Sequence, residues 1–272
     1  MLTRAITGIF FVLALLASMY FGQLSSFILF LVIVLLGTDE FYTLVKKSKE
    51  VKAVKIIGIL ISISLFIVIG LVVQGSIPLK FFAIPLALSF LVFLIELYKK
   101  SNYPFINIAY TILASIYIAL PFGLLYHLGY YQNNGFQSEF SHHILWGFFF
   151  ILWANDTGAY LSGRFFGKHK LFERISPKKT WEGSIGGGLL GIAVAYISSL
   201  YFMELSLTNW IIVAILTVIF GGLGDLVESM LKRSLNIKDS GNILPGHGGI
   251  LDRFDGLFLS VPFIYCYLVL IS

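Results

Sequence analysis

Residues 55–74 read KIIGILISISLFIVIGLVVQ, and after Lys55 the run carries no charge at all. A helix crossing a membrane needs about 20 predominantly apolar residues, because the hydrocarbon core is about 30 Å thick and each helical residue rises about 1.5 Å. This run is long enough to cross, and it is not alone. Stretches of the same kind lie at roughly 5–21, 24–44, 79–98, 106–126, 144–164, 184–203, 209–230 and 253–271, so the sequence predicts nine spans. The first resembles a secretory signal, since Arg4 precedes an apolar run. That run exceeds an ordinary signal core and the second span follows at once, so a retained helix is expected.

Composition agrees with this reading. Of 272 residues, 58% are hydrophobic and only 12% are charged. Soluble domains carry about a quarter of their residues as Asp, Glu, Lys and Arg, and half that share cannot cover a water-facing globule of this size. An ordinary cytosolic enzyme, a disordered tail and a disulfide-stapled secreted module are excluded. Cys266 is the single cysteine and sits in an apolar run, so no disulfide framework and no cysteine-based zinc site is possible. The expected fold class is all-α: a polytopic integral membrane protein of about nine transmembrane helices.

Basic residues orient the spans, because Lys and Arg concentrate in short cytoplasmic loops. With the N-terminus inside, the inner segments hold 18 of the 19 basic residues, and only Lys80 falls outside. The longest outer loop, 127–143, has neither Lys nor Arg. The expected topology puts the N-terminus in the cytoplasm and the C-terminus outside.

The two parts of the chain differ in character. Residues 1–143 form an expected scaffold of five Leu-, Ile-, Phe- and Val-rich spans plus the outer loop. The acids within these spans, Asp39, Glu40 and Glu96, lie near cytoplasmic ends, where interfacial solvation explains them. Residues 144–272 form an expected catalytic region in which charges, amides and glycines enter the spans. No repeat, low-complexity tract or soluble domain is visible.

Residues 153–168 read WANDTGAYLSGRFFGK, which places Asn155 and Asp156 inside a span. An unpaired carboxylate there costs at least about 2.5 kcal/mol. Asp156 either makes a helix–helix hydrogen bond or lines a hydrophilic cavity as a cation partner, while Gly158 and Ser162 let a neighbouring helix approach. Residues 174–188 read RISPKKTWEGSIGGG. Pro177 breaks any helix, Thr180 is placed to cap the next one, and Lys178 and Lys179 stand beside its N-terminus. They either anchor the chain to anionic lipid or form an anion site with the free N–H groups. Gly183, Gly187, Gly191 and Ala195 recur every four residues, a stripe that predicts close helix packing.

Residues 221–256 read GGLGDLVESMLKRSLNIKDSGNILPGHGGILDRFDG. Asp225, Glu228, Ser229 and Lys232 stand at i, i+3, i+4 and i+7, hence on one helix face. On a membrane helix such a face must look into protein or water. Asp225 and Asp252 arrive from two different helices, and two hard carboxylates suit a Mg²⁺ that keeps waters and binds phosphate oxygens. Lys232, Arg233, Lys238 and Arg253 supply the charge that phosphoryl transfer requires, and Gly248 and Gly249 beside His247 let backbone approach a bulky anion. A solvated inner loop with internal salt bridges is the plainer alternative, but the acids and bases penetrate the spans. No Walker A run or GxGxxG turn points to a soluble nucleotide fold.

These residues also carry a resemblance. The run from Ser229 through Lys232, Arg233, Lys238, Asp239, Gly241, Pro245, Gly246, His247, Gly248, Gly249, Asp252 and Arg253 to Asp255 resembles the signature of phosphatidate cytidylyltransferases, the CDP-diacylglycerol synthases. DTGAY at 156–160 and SPKKTWEG at 176–183 resemble the same family in the same order. The resemblance implies a Mg²⁺-dependent transfer from CTP to phosphatidic acid, giving CDP-diacylglycerol and pyrophosphate. It implies a second cation such as K⁺ and a homodimer in a bacterial-type inner membrane, with the site facing the cytoplasm and no nucleic-acid partner. On matching positions it implies that Asp225 and Asp252 hold the metal. It assigns phosphate binding or catalysis to Lys232, Arg233, Lys238 and Arg253, with Lys178, Lys179, His247, Gly248 and Gly249 as further phosphate contacts. Asp156, Glu228, Ser229, Asp239 and Asp255 carry less specific roles.

Two rivals remain at this point. A cation-coupled transporter also puts carboxylates into broken, Gly-rich helices, but it predicts an internal repeat and polar outer-leaflet residues. A related lipid phosphotransferase, of the CDP-archaeol synthase or polyprenol kinase type, shares the metal-and-base logic; the signature around His247 favours the phosphatidate enzyme.

Overall fold

The computed structural model describes every residue except Met1, Lys49, Asn133, Asn134, 236–240 and 242–247, and leaves aside the side chains of 2–6. Apart from two short hairpins, the described chain is helical: α1 (Leu2–Tyr20), α2 (Gln23–Val45), α3 (Lys55–Val73), α4 (Ala83–Lys99), α5 (Pro104–Ala114), α6 (Leu120–Leu128), α7 (His143–Phe166), α8 (Trp181–Tyr201), α9 (Leu207–Ser234) and α10 (Leu251–Ile271). The hairpins are β1 (Tyr131–Gln132) with β2 (Gly135–Phe136), and β3 (Lys170–Phe172) with β4 (Ser176–Thr180).

Among the described residues, seven helical segments are long and apolar enough to cross a membrane: α2, α3, α4 with its preceding turn, the run Pro104–Leu128, α8, α9 and α10. The chain is an all-α polytopic membrane protein. The described apolar part of α1, Thr7–Tyr20, is shorter than a full crossing. Helix α7 is 24 residues long, but its second half, WANDTGAYLSGRFF, dilutes its apolar character.

The chain divides into two compact units that do not follow chain order. One contains 1–127 together with 234–253, and the other 128–233 together with 254–272.

In the first unit, Gly22 turns α1 into α2 at φ 101, a left-handed conformation that suits a residue without Cβ. Helices α2, α3 and α5 meet closely. A Cβ at Gly58 of α3 would overlap the Tyr42 hydroxyl, which donates to the Thr111 carbonyl at 2.6 Å. The α5–α6 run contains a π-helical turn at Ser115–Ala119 just before Pro121. Proline lacks an N–H and its ring clashes with the carbonyl four residues earlier, so the widened turn accommodates it. Phe27, Phe66 and Tyr126 form an aromatic cluster with ring centroids 5.3 to 6.3 Å apart.

Interfacial solvation, expected for the three acids of the scaffold spans, fits only one of them. Asp39 is half-buried and pairs with Lys55 at 2.7 Å. Glu96 is buried: its carboxylate accepts from Ser101, from Asn107 Nδ2 at 3.0 Å and from Lys99 Nζ at 2.8 Å, so it ties the end of α4 to α5. Glu40 is 4% exposed and serves a distant segment described below. Such burial is tolerated because the charges are hydrogen-bonded or paired.

In the second unit α7 and α8 pack backbone to backbone. A Cβ at Gly158 would lie 2.9 Å from the Gly186 carbonyl oxygen, and one at Gly187 would lie 2.6 Å from both Asn155 O and Asn155 Oδ1. Gly183, Gly187, Gly191 and Ala195 are all buried, as the four-residue stripe predicts. Thr180 caps α8, its hydroxyl accepting from the Gly183 N–H at 3.2 Å. The β3–β4 hairpin spans Pro177, where the sequence predicts a break in any helix; Glu182 closes its base by accepting from the backbone N–H groups of Lys168 and His169.

Candidate active site

Strand β4 alternates its side chains. Lys178 is exposed, whereas the next residue, Lys179, turns to the other face. Its ammonium sits 2.6 Å from Asp225 Oδ2 and donates to the Gly222 carbonyl at 3.0 Å. The hairpin thus delivers a cation to the polar face of α9.

That face is the one its helical spacing predicts. Ser229 Oγ donates to Asp225 Oδ1 at 3.3 Å, and Lys232 pairs with Glu228 one turn on. Glu228 is only 1% exposed, so its charge is compensated by Lys232 inside the protein. The Asp225 side chain stays 37% accessible, and so keeps an open side for a ligand.

Glycines bring α10 onto this helix. A Cβ at Gly224 would lie 2.4 Å from the Asp255 carbonyl oxygen and 3.3 Å from Gly256 Cα, and Gly221 faces Gly256 in the same way. This close crossing puts the partly buried Asp255 within electrostatic reach of Asp225, Glu228 and Asp156. Its Oδ1 accepts the Gly256 N–H at 2.7 Å. Four carboxylates of α7, α9 and α10, with Lys179 and Lys232, therefore share one polar region of the second unit. The crossing was not expected, although its signal, GGLG at 221–224 followed by Gly256, was present in the sequence.

In the first unit, the Asp252 carboxylate accepts the Gly249 N–H at 3.0 Å, and Gly248 adopts φ 83 beside it. A Cβ at Gly248 would lie 2.6 Å from Asp252 Oδ2, so both the turn and the contact require glycine. Arg253 is exposed on the first turn of α10; in the second unit, Arg233 is exposed on the last turn of α9. Lys238, Asp239 and His247 lie outside the described residues.

Among the described residues no three or more His, Cys, Asp or Glu side chains are grouped as a ready metal cage. The Asp225 carboxylate still suits Mg²⁺. That ion takes hard oxygens and keeps several waters, and it is commonly held by one or two carboxylates plus substrate phosphates. In the second unit Asp225 offers an accessible carboxylate of that kind.

A sequence model of the Cytidylyltransferase family matches residues 2–271. The chain belongs to that family. Over 186 residues, 68% of each chain, it is 41% identical to a phosphatidate cytidylyltransferase of Staphylococcus aureus (strain COL). Over the same length it is 40% identical to the phosphatidate cytidylyltransferase of Staphylococcus haemolyticus (strain JCSC1435) and 41% identical to that of Staphylococcus epidermidis (strain ATCC 35984).

Proposed function

We propose that this membrane enzyme is a phosphatidate cytidylyltransferase. The observation that carries the reading is the Lys179–Asp225 pair, set beside Glu228, Lys232, Asp255 and Asp156 within a chain of this family. A phosphatidate oxygen attacks the α-phosphorus of CTP, the α–β anhydride bond breaks, and pyrophosphate leaves. The nucleophile is a phosphate monoester whose second pKa is about 6, so near neutral pH it is already largely ionised. No strong general base is needed.

The demanding step is to bring two polyanions together in line. Lys179, Lys232, Arg233 and Arg253, with Lys178 and Lys238, bind phosphate oxygens and screen their repulsion. Gly248 and Gly249 give backbone access to a phosphate, beside His247. Asp225 and Asp252 are the carboxylates that would hold Mg²⁺, and Asp255, Asp156, Glu228, Ser229 and Asp239 complete the polar surround. Bound there, Mg²⁺ would supply Lewis-acid neutralisation of phosphate charge, with a second cation such as K⁺ alongside it. Residues 1–143 act as scaffold and 144–272 as the catalytic region, in a homodimer.

Nine spans, with the N-terminus in the cytoplasm and the C-terminus outside, place these groups at the cytoplasmic side of the inner membrane. CTP arrives there from solution, and phosphatidate presents its headgroup from the lipid. This one-sided arrangement, together with 18 of 19 basic residues on the inner side, argues against a transporter. In a Cys266→Ser background, Gly135→Cys should react with an impermeant thiol reagent from outside only and Ser240→Cys from inside only. The opposite labelling pattern overturns the topology.

The activity is tested with the purified protein in phosphatidate–detergent micelles and CTP labelled at the α-phosphate. Label should enter a lipid product and pyrophosphate should appear in equal amount, both requiring a divalent cation. Nucleotide-independent ion flux without lipid labelling refutes the enzyme.

A further inference from the structure

We propose that Glu40, in the scaffold part of the chain, is a positioning residue for the transfer reaction; the inference rests on the function proposed above. Glu40 stands on α2, and its carboxylate accepts the Ile250 N–H at 2.7 Å through Oε2 and the Leu251 N–H at 3.2 Å through Oε1. Leu251 is the first residue of α10. The first N–H groups of a helix have no intrahelical acceptor, and the helix dipole favours a negative charge beside them. Glu40 supplies both the acceptor and the charge from more than two hundred residues away.

The contact does more than terminate a helix, because it grips the segment that carries the site. Ile250 and Leu251 lie between Gly249, whose N–H is held by Asp252, and Asp252 itself. Gly241, within the same signature segment, packs on the Glu40 carboxylate: a Cβ there would lie 3.1 Å from its Cδ. One turn earlier on α2, Gly37 leaves room for Ile250, whose Cγ2 would lie 3.3 Å from a Cβ at that position. Gly37 and Glu40, at i and i+3, thus form a seat for 250–251. The buried charge fixes where the first turn of α10 begins, and with it the directions of Asp252 and Arg253. Glu40 itself contacts backbone and is not assigned a contact with substrate.

Both carboxylate oxygens are used, so the amide is an informative substitute. In Glu40→Gln one oxygen remains an acceptor while the other position becomes an NH₂ that faces a backbone donor. Purified Glu40→Gln should keep the wild-type melting temperature within a few degrees and lose about tenfold in kcat/KM for CTP, and Glu40→Ala should lose more. Gly241→Ala, which crowds the carboxylate, should show the same kinetic pattern. A second readout is independent of activity: backbone amides of 248–253 should exchange with deuterium about tenfold or more faster in Glu40→Gln than in wild type. Wild-type CTP kinetics in soluble, folded Glu40→Gln overturns the proposal, as does unchanged exchange at 248–253. A purely structural role predicts less folded protein with normal KM and kcat in what survives, and that outcome also refutes it. If the wild-type protein itself makes no lipid product from CTP, the proposed function fails, while the exchange result still reports on the seat.

Discussion

Asp225→Asn should reduce CTP-dependent lipid labelling by about a thousandfold or more, equivalent to roughly 4 kcal/mol of lost transition-state stabilisation. The substitution hardly changes shape, and the amide oxygen can still accept from Ser229 Oγ, now 3.3 Å away. What disappears is the charge that faces Lys179 at 2.6 Å and remains accessible beside Glu228 and Asp255. Two explanations of that pair differ in their consequences. If Asp225 only neutralises Lys179 for stability, removing both charges in Asp225→Asn/Lys179→Met should be milder than removing one, because no cation is left uncompensated. If both side chains serve the reacting phosphates, the double variant stays as inactive as Asp225→Asn. The assay must be run on protein that elutes as wild type and melts within a few degrees of it. Activity of Asp225→Asn within about threefold of wild type would remove Asp225 from the active centre.

The all-α membrane class, seven of the apolar runs and the polar face of α9 were legible because each is a local pattern. An apolar run of sufficient length has only one good solvent, and the i, i+3, i+4, i+7 spacing of Asp225, Glu228, Ser229 and Lys232 places them together before any tertiary contact forms. Thr180 as a cap and the Gly183–Gly187–Gly191 stripe were legible for the same reason. The functional partners of these residues were not. Lys179 reaches Asp225 only because a hairpin folds β4 back at the start of α8, and Asp255 joins the cluster only because Gly221, Gly224 and Gly256 let two helices touch. An acid near a helix end ordinarily finds water, so its position points Glu40 to the interface; its partners are backbone N–H groups, which leave no trace in side-chain composition. The position of Glu96 points the same way, yet Asn107, Ser101 and Lys99 satisfy it.

Gly187→Leu should prevent accumulation of folded protein. Membrane helices gain no hydrophobic drive from contacting each other rather than lipid, so their association depends on close packing of small residues. At Gly187 even a Cβ would lie 2.6 Å from two oxygens of Asn155 and 3.1 Å from the Ala159 Cβ. The Asn155 carbonyl belongs to the α7 backbone and cannot turn away like a flexible side chain. Relief requires α7 and α8 to separate, which would break the neighbouring contacts at Gly158, Gly183 and Gly186 in turn. Overpacking of a tight contact costs about 1–3 kcal/mol for modest additions, and a leucine adds four carbons here. The adjacent glycine provides the control. A Cβ at Gly188 would meet only Val218 Cγ1, at an ordinary 3.4 Å, and alanine is favoured over glycine in a helix by about 1 kcal/mol. Gly188→Ala should therefore melt at or above the wild-type temperature while Gly187→Ala melts below it, although the two positions are neighbours with the same intrinsic propensity. The difference also reaches the site: Asp156 directly follows Asn155 on α7, and Lys179 enters through the strand that leads to the Thr180 cap of α8. Residual folded Gly187→Ala should accordingly show reduced turnover, whereas Gly188→Ala should not. Equal melting temperatures for the two alanine variants would mean that this interface tolerates separation and does not set the position of Asp156.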